Sequence, residues 1–252
     1  MSEVTTDIQD GVIIVTLNRP EAKNAMNKAA AEGIRAAMQQ LDDDSSLNAG
    51  IITGAGGTFC SGMDLKGFLK GESPMVEGYG FGGICQKSPE KPLIAAIEGY
   101  ALAGGMELAI ACDLRVANDK AQFGIPEVKR SLVAAAGGLL HLSSIVGKGV
   151  AMELALTGDF IDAQRAYEVG FVNRLTEGAA LDEAMKLATS IAANGPLALK
   201  ASKKIVNDRP DWTSENMWQE QTKIMMPVFA SDDSKEGARA FAEKRKPVWK
   251  GK

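Results

Sequence analysis

Apolar residues recur along this chain with two different periods. Residues 12–17, Val-Ile-Ile-Val-Thr-Leu, run uninterrupted from Gly11 to the Asn18-Arg19-Pro20 break, as a β-branched strand does. Over residues 27–41 the period becomes helical, with Ala30, Ile34, Ala37, Met38 and Leu41 on one face, and Asp42, Asp43, Asp44 and Ser45 end that helix in solvent. A second strand is predicted over 49–53. Residues 66–90 carry Lys, Gly, Ser, Pro and Glu without a period, which predicts a mobile surface segment around a short helix. The run 93–97 is wholly apolar, as a strand buried on both faces should be, and leads to Gly104-Gly105 and a helix over 106–111. Two short strands, 114–117 and 121–123, follow. Helices are predicted over 148–156, 163–169 with Asp162 as N-cap, and 181–193, with a last strand at 171–175. This alternation describes an α/β chain.

After Asn194-Gly195-Pro196 only helical patterns remain. That divides the chain into a core over residues 1–193 and a helical region over 194–252. The second region carries Trp212, Trp218 and Trp249, and Ile224, Met225, Met226, Val228 and Phe229 lie close together. So much apolar surface requires a cover. A subunit interface and packing on the chain's own core both supply one.

Composition narrows the choices. With 252 residues, 45% of them hydrophobic, the chain can bury a large core. A formal charge of −4 without a dominant basic stretch argues against nucleic acid as a partner. Cys60, Cys85 and Cys112 are odd in number and lack CxxC spacing, so free thiols in a reducing cytoplasm are expected. Residues 1–10 are polar and acidic, unlike a signal peptide. The longest apolar stretch, 93–112, is interrupted by Glu98, Glu107 and several glycines, so no membrane span is expected there. His141 is the single histidine. It has no partner for a metal, and no G-x-S-x-G elbow accompanies it.

Two glutamates carry the candidate chemistry. Glu107 stands in Leu-Ala-Gly-Gly-Met-Glu-Leu, where a strand gives way to a helix, and Glu127 closes Phe-Gly-Ile-Pro-Glu, 20 residues later. Paired carboxylates beside open backbone N–H groups suit proton transfer next to a polarised carbonyl. Gly62-Met63-Asp64 offers a second junction of the same kind, with its N–H groups expected at a helix N-terminus. The glycines at 54–57 fit neither a dinucleotide fingerprint nor a P-loop.

Taken together, several segments resemble the enoyl-CoA hydratase/isomerase (crotonase) superfamily over essentially the whole chain. They are Leu-Asn-Arg-Pro-Glu-Ala-Lys-Asn-Ala at 17–25, Phe-Cys-Ser-Gly-Met-Asp-Leu at 59–65, and Gly-Tyr-Ala-Leu-Ala-Gly-Gly-Met-Glu-Leu-Ala at 99–109. Phe-Gly-Ile-Pro-Glu at 123–127, Ala-Met-Glu-Leu-Ala-Leu-Thr-Gly at 151–158 and Ala-Phe-Ala-Glu-Lys-Arg at 240–245 complete the set. The resemblance implies a crotonase-like spiral of ββα units with a C-terminal helical trimerisation region, assembled as a homotrimer or a hexamer (a dimer of trimers). It implies an acyl-CoA thioester substrate and no cofactor or metal. The N–H groups of Met63 and Gly104 would form the oxyanion hole, and Glu107 and Glu127 would be catalytic. Lys23, Ala25, Ser61, Asp64, Leu65 and Lys66 would bind acyl-CoA, joined by Phe241 and Lys244 from a neighbouring subunit.

Glutamates at both positions resemble a hydratase, which adds water across the double bond of a 2-enoyl-CoA. The alternatives are a Δ3,Δ2-enoyl-CoA isomerase, a crotonobetainyl-CoA (carnitinyl-CoA) hydratase and a non-catalytic acyl-CoA-binding homologue. Residues 129–136 depart from the Leu-Gly-x-x-Pro-Gly-x-Gly pattern common in fatty-acid hydratases, and the ending 241–252 is similar to carnitinyl-CoA hydratases.

Overall fold

A computed structural model describes residues 2–252. The chain opens with a hairpin, β1 (Val4–Gln9) and β2 (Val12–Leu17), joined by Asp10-Gly11 with φ of 49° and 76°. β1 is absent from the expectations above because only Val4 of its six residues is buried, so no apolar alternation marks it. Asp-Gly at a two-residue turn is the signal that announces it. α1 (Lys28–Asp43) follows, its N-cap Asn27 accepting from the Ala30 N–H, and buries the predicted face from Ala30 to Leu41.

Beyond α1 come β3 (Ala49–Gly54), the short α2 (Leu65–Leu69), and the two-residue strands β4 (Met75–Val76) and β5 (Gly80–Phe81). Residues 66–90 are therefore not a surface segment throughout: Phe81, Gly82, Gly83 and Ile84 are buried. Glycines there hid the packing from any period. A Cβ on Gly83 would stand 2.7 Å from the Ala31 carbonyl oxygen, so only glycine lets this strip lie against α1.

The apolar run near the middle splits into two strands, β6 (Leu93–Ile97) and β7 (Tyr100–Leu102), turned apart at Gly99. α3 (Gly104–Ile110), β8 (Leu114–Asn118) and β9 (Gln122–Gly124) follow. Then come α4 (Gly138–Thr157), β10 (Ile161–Asp162), α5 (Ala163–Glu168), β11 (Arg174–Thr176) and α6 (Ala180–Ala192). The predicted strand at 171–175 is shorter than expected: Phe171 and Val172 are buried, but their N–H groups bond to Ala166 in a turn and not to a sheet. α4 begins ten residues before the helix expected at 148 and is broken at Gly147 (φ 79°, ψ 156°). By length and composition alone α4 could cross a membrane, yet the Gly147 break leaves two shorter helical pieces.

Six strands form the main sheet, in the order β1-β2-β3-β6-β8-β11, parallel from β2 onward. Its two faces explain the unbroken apolar runs. Val12, Ala49, Ile51, Ile94, Ala96 and Val116 face α6, which meets them with Ala180, Ala184 and Ala188. Ile13, Val15, Ile52, Ala95 and Ile97 point the other way, into the larger core with α1 and α3. β7 and β9, which follow β6 and β8, join β10 in a second sheet, β10-β9-β7. The pairs β6–β7 and β8–β9 thus divide between two sheets before the next helix, which is the repeat of the crotonase-like spiral.

The C-terminal helices are α7 (Pro196–Asp208), α8 (Met217–Ala230) and α9 (Asp232–Ala242). A partly buried ion pair, Lys203 to Asp113 at 2.7 Å, ties α7 to the core. α7 and α8 bury no residue completely, and Trp218 and Phe229 stay exposed.

Asn24 connects the chain's first loops. Its φ is 54°, its side chain donates to the Ala55 and Thr58 carbonyls, and its Oδ1 accepts from the Arg19 N–H. Replacing Asn24 by alanine leaves three partly buried partners without their bond, each costing at most about 1–3 kcal/mol. Asn24→Ala should therefore lower the urea midpoint sharply without changing the slope of the transition. An unchanged midpoint would show that these bonds do not hold the loops.

Candidate active site

Two loop–helix junctions meet at one cavity of about 440 Å³. On one side, Gly62 to Asp64 lies beside Met26 in a parallel bridge: the Met26 N–H donates to the Gly62 carbonyl at 2.7 Å and the Asp64 N–H to the Met26 carbonyl at 2.9 Å. Alternate residues of a bridged strand point their amides to opposite sides, so the Met63 N–H faces away from Met26, toward the cavity. α2 starts later, at Leu65, capped by the Asp64 carboxylate. The Met63 donor is thus set by a strand bridge and not by the helix N-terminus expected from the sequence.

On the other side, Gly104 opens α3, and its N–H belongs to the first turn, which has no helical acceptor. Ala103 before it has φ 50° and ψ −127°, a strained conformation for a residue with a side chain. The Ala103 N–H is held by the Gly124 carbonyl at 2.8 Å, and Leu102 by Cys60 at 3.1 Å. Space is minimal. A Cβ on Gly104 would meet Phe81 at 2.4 Å, and one on Gly105 would meet the Cys60 carbonyl oxygen at 2.1 Å. Ideal Cβ positions also bring Gly62 within 3.6 Å of the Gly104 nitrogen, so the two junctions are in contact.

Both glutamates line the same cavity. Glu107, one turn into α3, is 4% exposed, and its Oε1 accepts from the Ala136 N–H at 2.7 Å and the Gly138 N–H at 2.9 Å. Burial pushes its pKa up, the two N–H donors oppose that, and the nearby charge of Glu127 raises it further. Glu127 is carried by a short 3-10 helix, Pro126–Arg130. Burial raises its pKa also, countered by its own backbone N–H and by Arg130. Its Oε2 is buried with no hydrogen-bond partner among the described residues. Such an oxygen is costly unless something else comes to meet it.

Of the other residues singled out from sequence, Ser61 and Leu65 line the cavity. Lys23, Ala25, Asp64 and Lys66 are not among its lining residues. The Ser61 N–H donates to the Lys23 carbonyl at 3.1 Å, and Lys23 Nζ sits 5.3 Å from the Tyr100 ring centre. Arg19 ties these loops together by donating to the Ala25 carbonyl and pairing with Asp64 at 2.9 Å and Glu3 at 2.7 Å. Within one chain, Phe241 and Lys244 are not brought to the cavity; Phe241 is 88% exposed.

Sequence reading missed Phe81, Met75 and Phe160, which close the apolar walls, and Arg130, Leu132 and Val133 along one edge. Gly138 was not singled out from the sequence either. Gly138 is where it is because a Cβ there would stand 3.0 Å from the Glu107 carboxylate. A small residue at this position, after a loop of alanines, was the one available signal.

Two N–H donors and two carboxylates of raised pKa around an apolar cavity can stabilise a developing oxyanion and move protons at adjacent carbons. Comparison with known proteins agrees with that chemistry. Residues 7–252 match the family model described as Enoyl-CoA hydratase/isomerase. An enoyl-CoA hydratase of Mycobacterium tuberculosis is 41% identical over 93% of this chain and 91% of its own. A carnitinyl-CoA dehydratase of Proteus mirabilis is 39% identical over 96% and 95%. Among solved structures, an enoyl-CoA hydratase from Mycobacterium tuberculosis superposes with a TM-score of 0.98 at 55% identity, covering all of both chains. From the match along nearly its whole length and the fold it shares with these relatives, the chain belongs to the enoyl-CoA hydratase/isomerase family.

Proposed function

We propose that this protein is an enoyl-CoA hydratase, adding water across the 2,3-double bond of a 2-enoyl-CoA thioester. The observation that carries this reading is the meeting of two free N–H donors with two carboxylates, Glu107 buried and Glu127 partly so, in a single cavity. The Met63 and Gly104 N–H groups receive the thioester oxygen. Each donor contributes roughly 3 kcal/mol as negative charge develops there. Polarisation makes the β-carbon electrophilic.

The roles of the glutamates follow from their partners. Two main-chain N–H groups on Glu107 stabilise its anion, so Glu107 takes a proton from the attacking water as oxygen bonds to the β-carbon. Glu127 has an oxygen without a donor, which favours its neutral form, and it delivers a proton to the α-carbon of the enolate. The electron pair of the double bond ends in that new C–H bond. CoA is the substrate's handle, and the reaction uses neither redox nor metal chemistry.

Assembly completes the reading. Trp218, Met226 and Phe229 on α8 and Leu140 and Leu156 on α4 are large exposed apolar side chains. Phe241 and Lys244 lie clear of their own cavity. A trimer or hexamer covers the former and brings the latter to a neighbour's CoA. The three free thiols suit a cytoplasmic location.

Glu127→Gln should cut kcat by about 10²–10⁴-fold with little change in KM, because the amide keeps the shape and loses the proton. A variant within about threefold of wild type, far below that range, removes Glu127 from the mechanism. Loss of the conjugated absorbance of crotonyl-CoA is the assay. Turnover of a 3-enoyl-CoA without that loss identifies an isomerase instead.

The pH profile of kcat/KM should be a bell. Activity is lost as pH falls through the apparent pKa of Glu107 and as it rises through that of Glu127. Burial raises both, so both limbs lie above the ordinary glutamate value of 4.5. Glu127→Gln should remove the alkaline limb from whatever activity remains. An acid limb at or below the ordinary value contradicts the assignment.

Sedimentation of the wild-type protein should give a trimer or hexamer. Lys244→Ala should raise KM and leave kcat nearly unchanged. A fully active monomer excludes the shared site.

A further inference from the structure

Among the described residues Arg130 is the one cation on the wall of the cavity, whose other ionisable lining residues are Glu107 and Glu127. It ends the 3-10 helix Pro126–Arg130. Side chains three apart in such a helix eclipse one another, so Arg130 stands over the same face as Glu127. The neighbouring Lys129 is already paired with Asp159 at 2.5 Å. Arg130 has no carboxylate partner of that kind among the described residues, and its side chain is exposed at the rim.

The chain turns sharply after it. Ser131 has φ 55°, and its N–H returns to the Val128 carbonyl at 3.1 Å. That turn sets Leu132 and Val133 on the cavity edge beside Arg130, although they are 52% and 69% exposed. Residues 130–133 therefore make a rim of one guanidinium and two apolar side chains. The rim adjoins Glu127, while Ser61 and Leu65, to which the family resemblance assigns the CoA handle, line the same cavity.

An acyl chain whose reacting carbons lie between the two glutamates leads its far end along this wall. Leu132, Val133 and Phe160 cover its methylenes. The guanidinium then meets whatever group terminates the chain, next to low-dielectric walls that strengthen its field. Arginine is suited to a carboxylate, which it binds through two parallel N–H donors, and it repels a fixed cation.

We propose that Arg130 sets the acyl preference of this site, favouring 2-enoyl-CoA thioesters that end in a carboxylate over neutral chains, and neutral chains over those ending in a quaternary ammonium. This rests on the hydratase reading above for the placement of the reacting carbons. It deepens that reading by naming the substrate class.

The test uses the full-length protein with three 2-enoyl-CoA thioesters of matched length, ending in a methyl, a carboxylate or a trimethylammonium group. Wild type, Arg130→Met and Arg130→Glu are compared. Wild type should rank them carboxylate, methyl, ammonium by kcat/KM. The carboxylate-to-methyl ratio should fall at least about tenfold in Arg130→Met, and Arg130→Glu should invert the order, as expected of a close charge pair.

Kd values of the matching saturated acyl-CoAs, which cannot be hydrated, are measured alongside and should follow the same order. A flat series in wild type, or an order unchanged in both variants, overturns the proposal. So does an equal rise in KM for all three substrates, which would assign Arg130 to the CoA handle. Failure of wild type to hydrate even the methyl-ended substrate would count against the hydratase reading alone. The charge preference in binding would still decide the role of Arg130.

Discussion

The architecture depends on keeping two backbone N–H groups unpaired at the same point. A buried donor without an acceptor costs about 1–3 kcal/mol, and Ala103 at φ 50° and ψ −127° adds strain of similar order. Neither would persist unless the surroundings over-determined them. They do so from both sides. The Met26 bridge holds residues 62–64, and the Gly124 and Cys60 carbonyls hold residues 102 and 103. Phe81 and the Cys60 carbonyl leave no room for side chains at Gly104 and Gly105. The spiral of split strand pairs exists, physically, to bring those two edges together.

Around these donors the electrostatics are tuned by burial more than by ion pairing. Glu107 and Glu127 are both raised by loss of solvent, and they differ in which donors reach them. Glu107 is supported by a loop, residues 136–138, that is remote in sequence and polar only through its amides. An arrangement with main-chain donors holds a carboxylate in place without introducing a competing side-chain charge. Among the described residues the only side-chain cation on the wall is Arg130, which is exposed.

The helical end of the chain is organised for presentation. Asp233 accepts from the Lys250 and Gly251 N–H groups at 2.7 and 2.8 Å, and Arg245 pairs with Glu236 through two nitrogens. Trp249 donates to the Ala193 carbonyl at 2.8 Å and packs over Gly195 and Gly237. The last ten residues are thereby folded back on α9. Phe241 and Lys244, at the turn that ends that helix, are left facing outward. The proposed trimer or hexamer would cover them together with the exposed faces of α4 and α8.

By itself the sequence determined the elements whose apolar period is clean. The strands at 12–17 and 93–97, α1 with its Asn27 cap and α5 with Asp162 were all legible because burial on a fixed face forces a fixed spacing. Gly104, Glu107 and Glu127 were legible as candidates from their local motifs, and the fold brings all three to one cavity. Tertiary structure alone decided the rest. β1 is nearly all exposed and leaves no period, and the 80–84 strip is core because its glycines permit close approach. Met63 is a donor only because Met26 engages the residues on either side of it. The anchoring of Glu107 by residues 136 and 138 arises from a loop path that no spacing encodes. Periodicity records which face of an element is buried; what meets at a site depends on how the elements cross, and only the folded chain contains that.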